Sequence, residues 1–204
     1  MTQRNTIART MHDVGLAAWF GGSLMGATGV NGAAADVDDP RQRARVAAAG
    51  WSRWTPWNLA AIAAHLVGGA QLVRGNRGRL SAQKGVLAMT ATKTLLTGAA
   101  LGATGYSRVL GQRIMAAGDV PVAGGTSPLA TTPPEVASAQ KQLKALQWAI
   151  PALTGGILGL AAHAGEQQRS AQVWKGTLGR AGQAAKAATL AGAAKTAGLV
   201  RSDT

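Results

Sequence analysis

The sequence predicts an all-α fold, an integral membrane four-helix bundle with a basic C-terminal tail, and three observations predict it. Val14 to Ala35, Trp54 to Val73 and Ala145 to Gly165 carry no charged residue, and Gly85 to Ser107 carries only Lys93. Each window is about 20 residues long, which at ~1.5 Å per residue crosses the ~30 Å hydrocarbon core of a bilayer. Charged residues make up 14% of the chain, against about 25% in an ordinary soluble domain, so four helices of that length have no charged face to offer water. The aromatic residues agree: Trp51, Trp54 and Trp57 open the second window, Tyr106 closes the third and Trp148 opens the fourth. If all four windows span, these residues lie on one side, as an interfacial belt does.

The first span, about 13–35, has a competing reading. Arg4 and Arg9, an apolar run and a small-residue site at Ala33 to Ala35 also fit a cleaved secretory signal. The run exceeds the roughly 7–15 residues of a signal core, and Ala18, Gly22 and Gly26 recur every fourth residue, which suits a helix that stays and packs. The second span, about 54–74, places Asn58 a heptad before His65 on one helical face, with Gly68 and Gly69 a turn later.

In the third span, about 85–107, Thr90, Lys93, Thr97 and Thr104 line one face. An intramembrane lysine is costly and either faces the bundle interior or snorkels to the headgroups. Gly98 and Gly102 on the same helix read as a packing notch. Between the third and fourth spans, about 116–135, proline, glycine and small polar residues predict an irregular external loop. The fourth span, about 145–166, carries Pro151 near its start and then Gly155, Gly159 and His163 at four-residue steps. These spans make up a membrane domain over 1–168. The tail, 169–204, would space its lysines and arginines around a helix rather than on one face, a weak amphipath, so a flexible basic Ala/Gly-rich cytoplasmic tail near anionic headgroups is expected, with a surface-lying helix as the alternative.

Orientation follows from the first helix, which has Arg4 and Arg9 before it and Asp36, Asp38 and Asp39 after it, and from the short basic loop holding Arg74, Arg77, Arg79 and Lys84. Both termini are expected in the cytoplasm of a bacterial plasma membrane.

The absence of cysteine excludes thiolate metal sites and cysteine nucleophiles. No phosphate loop, dinucleotide fingerprint, zinc-protease helix or nucleophile elbow occurs, and eight acids give paired-carboxylate catalysis little to work with, so no enzyme is indicated. The net charge of +13 lacks the interleaved aromatics of a nucleic-acid surface and points to anionic lipid. Lys93, Thr90, Thr97, His65 and Asn58 form a candidate intramembrane polar pathway. His12 and His163 share a depth near the cytoplasmic edge while His65 lies deeper, so His12 and His163 are the pair that would clamp a haem iron. Gly22, Gly26, Gly98, Gly102, Gly155 and Gly159 are the expected helix contacts.

The stretch "MHDVGLAAWFGG", with His12, Gly15, Trp19, Gly21 and Gly22, resembles the opening helix of copper-resistance D type membrane proteins and of related uncharacterised small four-helix bacterial membrane proteins. The resemblance covers some 15 residues and implies a four-span membrane protein. It brings no copper site, because cysteine is absent and Met25, Met89 and Met115 make no ligand cluster.

The leading expectation is a non-enzymatic accessory or scaffolding protein without a cofactor, which meets anionic lipid, a membrane-protein partner or further copies of itself. A small ion, proton or solute transporter is the first alternative. A haem-binding redox protein is the second.

Overall fold

The computed structural model describes residues 6–78 and 84–163. The chain divides into a unit Met1–Leu160 and a unit Ala161–Thr204, so the expected tail at 169–204 and the end of the expected fourth span lie outside the described residues.

The described residues are mostly helical. Helix α1 runs Thr6–Met25, passes through a π-helical turn at Gly26–Val30, and continues as α2, Asn31–Ala35. The Asn31 N–H reaches back five residues to the Gly26 carbonyl. One extra residue is thereby absorbed, and the helical face is rotated. The rotation carries the Asn31 side chain inward: its Nδ2 donates to Gln147 Oε1 at 2.6 Å and its Oδ1 accepts from Trp51 Nε1 at 3.2 Å.

Helix α3 spans Arg43–Gly75 and α4 spans Lys84–Ala116. A short antiparallel hairpin, β1 Val122–Gly124 with β2 Ser127–Pro128, leads to α5, Pro134–His163. The helices overlap the four charge-free windows and run past them, chiefly at the hairpin end. Charge bounds where a helix can meet lipid, whereas hydrogen bonding and packing bound the helix itself. Pro151 therefore lies well inside α5 and not at its start.

The core has two layers. Leu16 and Trp19 of α1, Ala61 and Ile62 of α3, Ala100 of α4, and Ile150 and Ile157 of α5 meet in the first. Leu110 and Ile114 of α4 pack with Val136, Ala139 and Leu143 of α5 in the second, nearer the hairpin.

The expected irregular loop at 116–135 is instead an ordered cap, and its main chain is satisfied by side chains from the helices. Gln140, fully buried, donates to Gly124 O at 2.9 Å and Gly125 O at 3.2 Å. Arg43 donates to Val37 O at 2.7 Å and Ala123 O at 3.3 Å, and Thr132 Oγ1 donates to Pro121 O at 2.7 Å. Composition alone misses this because these donors lie outside the loop or at its far edge.

By length and composition, α5 is the described helix long and apolar enough to cross a membrane, at mean hydropathy 1.4 over its most apolar 18 residues. Four such helices are expected from the absence of charge. Alanine and glycine explain the difference: they leave a helix uncharged without making it strongly apolar.

Candidate functional site

Helices α1 and α3 pack backbone to backbone, and a short pattern explains it. Ala8, His12 and Gly15 on α1 have the spacing of Ala61, His65 and Gly68 on α3. A Cβ added at Gly15 would stand 2.5 Å from Ala61 O and 2.6 Å from His65 N. One added at Gly68 would meet Ala8 O and stand 2.6 Å from His12 N. Only glycine lets the two backbones touch here, and the two triplets face each other in a reciprocal arrangement.

The contact brings the two imidazoles face to face, with ring centroids 4.1 Å apart and planes 17° from parallel. His12 Nδ1 donates to His65 O at 3.0 Å, and His65 Nδ1 donates to His12 O at 3.1 Å. A carbonyl only accepts, so Nδ1 carries the proton in both rings. In the neutral rings this leaves Nε2 as an acceptor. Thr97 Oγ1 of α4 sits 3.4 Å from His65 Nε2, a long hydrogen bond to that lone pair. His65 is 2% exposed, and the Trp19 ring stands edge-on to it at 6.3 Å.

Lys93 is half-buried on the α4 face that also carries Thr97, Ala100, Thr104 and Ser107. Asp13 and Arg9 of α1 are the charged groups that act on it electrostatically, and Asp13 and Lys93 both act on His65. Among the described residues no carboxylate pairs with Lys93 within 4.0 Å; the ion pair present there is Arg45–Asp119, on the surface at the hairpin end. That pair raises the pKa of Arg45 further, chiefly through its hydrogen bond to the carboxylate. Thr90 is half-buried one turn before Lys93, and its carbonyl accepts from Thr94.

Of the expected pathway residues, His65 and Thr97 meet directly and Lys93 stands beside them. Asn58 is separate. It lies on the far side of the apolar layer formed by Leu16, Trp19, Ala61, Ile62 and Ala100, in the wall of a cleft of about 580 Å³. His12 stands level with His65, the residue expected to be deeper. His163 belongs to the second unit of the chain. Among the described residues no group of three or more histidine, cysteine or acidic side chains gathers as metal ligands would.

The glycine expectations divide. Gly22 and Gly26 are covered by the indoles of Trp54 and Trp51, and a Cβ at Gly155 would stand 3.1 Å from the Phe20 ring. At Gly98, Gly102 and Gly159 an added Cβ meets nothing within 4 Å, so these three are not helix contacts among the described residues. Gly98 lies five residues beyond Lys93, about 140° round the helix from the inward face. The aromatic set divides too. Trp57 and Trp148 are 69% and 50% exposed, and Tyr106, 43% exposed, donates to Gln142. Trp51 and Trp54 are turned inward onto α1.

No family model matches the chain, and no curated protein or solved structure does. The site therefore rests on its own geometry.

The reciprocal histidine contact is what the sequence reading misses. Its signal is present as the repeated alanine, histidine and glycine spacing that starts at Ala8 and again at Ala61, read in the same chain direction.

Proposed function

We propose that this is a multi-pass protein of a bacterial plasma membrane, with both termini cytoplasmic, that passes a proton or small polar solute along the inside of its bundle. One observation carries the reading: among the described residues many large apolar side chains face outward, while a few polar ones are enclosed within a mostly apolar core. His65, Gln147 and Thr154 are 2%, 5% and 0% exposed, whereas Leu95, Trp57 and Leu59 are 74%, 69% and 62% exposed. Soluble proteins do not leave so many large apolar side chains facing water, and lipid is the solvent that favours them. Only 28% of the most apolar window of α5 is buried, which supports the same reading.

Within that frame half-buried Lys93 lies on the α4 face that carries Thr97, which reaches His65 of the histidine pair. Ionisable groups placed this way inside a membrane bundle mark ion and proton paths. The apolar layer of Leu16, Trp19 and Ala100 closes the route between this cluster and the cleft beyond it, so transport requires that layer to part.

The test is flux into proteoliposomes carrying the purified chain, read with a pH-sensitive dye and with the Lys93→Met variant in parallel. We expect uptake by the wild type, a fall of at least tenfold in the variant, and the same melting temperature for both. Wild-type vesicles no leakier than empty ones would overturn the proposal.

A second reading, an accessory protein that docks on anionic lipid or on a membrane partner, is favoured by the net charge of +13 with only eight acids. Pull-down from a detergent extract, with a partner retained at stoichiometric amount, tests it.

A further inference from the structure

The cleft at the hairpin end takes no part in the proposed pathway cluster. It lies between α3, α4 and α5, and its volume of about 580 Å³ is in the range of drug-sized ligand sites. Three of its lining residues hold buried polar atoms without partners among the described residues: Trp54 Nε1, Asn58 Oδ1 and Ser107 Oγ. Such atoms are costly to leave unmatched. Ser107 stands out because the threonine hydroxyls at 28, 55, 92, 94, 104 and 154 each bond back to the carbonyl four residues earlier, and Ser107 does not.

Two prolines add acceptors. Pro56 has no N–H to give the Ser52 carbonyl, and Pro151 has none for the Gln147 carbonyl. Ser52 and Gln147 both line the cleft. The wall therefore offers acceptors at Asn58 Oδ1 and at these two carbonyls beside the Trp54 Nε1–H donor and the Ser107 hydroxyl, and indole rings from Trp51 and Trp54 supply flat apolar surface. The two arginines of the lining stand at the edge and are engaged: Arg45 with Asp119 and Arg108 with Thr55 Oγ1 at 2.8 Å.

We infer that this cleft binds a small uncharged ring compound carrying hydroxyl groups on an apolar body, of the phenol or quinol class. Hydroxyls donate to Asn58 Oδ1 and to the freed carbonyls and accept from Trp54 Nε1–H, while the ring lies against indole. A quinone, which only accepts, leaves Asn58 unmatched and binds more weakly than its quinol. The inference does not rest on the transport proposal, since it concerns binding and a different set of residues.

The test is calorimetric titration of the full chain in detergent micelles with a decyl-chain benzoquinol, and with its dimethyl ether as a probe of similar shape and no O–H. We expect saturable binding of one quinol per chain, at least tenfold weaker binding of the ether, and a tenfold loss with Asn58→Leu. Ser107→Ala, the milder change, should lower affinity several-fold and keeps the test open if Asn58→Leu misfolds. Equal uptake of quinol and ether that neither substitution changes is micelle partition, and it would overturn the inference, as would the absence of saturable binding.

Discussion

His12 and His65 hold each other by their main chains: each ring donates its Nδ1 proton to the other residue's carbonyl across a 4.1 Å ring stack. A phenylalanine at either position keeps the ring and deletes the donor, which removes one of the two crossed bonds between the helices while the carbonyl keeps its own helical bond. His65→Phe and His12→Phe should each cost about 1 kcal/mol. The double variant should cost less than the sum, since the rings stack on each other. Denaturation in detergent measures all three.

Glycines on this chain separate by what stands opposite them. Gly15→Ala and Gly68→Ala place a methyl group against a partner backbone that cannot swing away and should destabilise by about 1–3 kcal/mol. Gly98→Ala and Gly159→Ala, with open space at the Cβ, should be neutral or stabilising by up to about 1 kcal/mol, because alanine favours the helix. Melting curves of the four variants check the division. A common outcome for all four would mean the backbones do not touch.

Gln140 is the peg of the hairpin cap. Gln140→Leu removes both bonds to Gly124 and Gly125, exposes two carbonyls to an apolar wall and should cost about 1–3 kcal/mol. Faster protease cleavage within 117–133, with the helices retained, is the expected signature.

The turn that starts α3 responds to acid. The Arg41 N–H donates to Asp39 Oδ1 at 3.0 Å and holds the Asp39 carboxyl below its usual pKa, helped by Gln42 and by the charges of Arg41 and Arg43 and opposed by lost hydration. A carboxyl with a depressed folded-state pKa contributes stability above its unfolded pKa and loses it as pH falls through the folded value. Amide exchange of Arg41 to Val46 should therefore accelerate below about pH 4, relative to the intrinsic rates, and Asp39→Ala should show the faster exchange already at neutral pH.

The helices were legible because charge is scarce and its gaps are long. Their ends were not: Arg43, Arg108 and Lys144 sit in helix beyond the windows, where Arg43 bonds to the cap, Arg108 to Thr55 and Lys144 is exposed. The inward face of α4 was legible as well, since the 3.6-residue turn alone aligns Lys93 with Thr97 and Thr104. The glycines at 98 and 102 deceived because a stripe of small residues does not say which side of the helix meets a neighbour. The histidine pair was illegible for a different reason. It depends on where two antiparallel helices cross, and no single-helix period encodes that.

The glycine-to-backbone contact between α1 and α3 also governs what can move. Two helices whose main chains touch at Gly15 and at Gly68, and are pinned by crossed bonds between them, cannot slide by a residue or rotate without breaking both ends of the clamp together. They form one rigid lever. Any opening of the described bundle must then come from α4 and α5 swinging away from that lever, along the seam where Thr97 makes its long reach to His65 and where the cleft already parts α3 from α4.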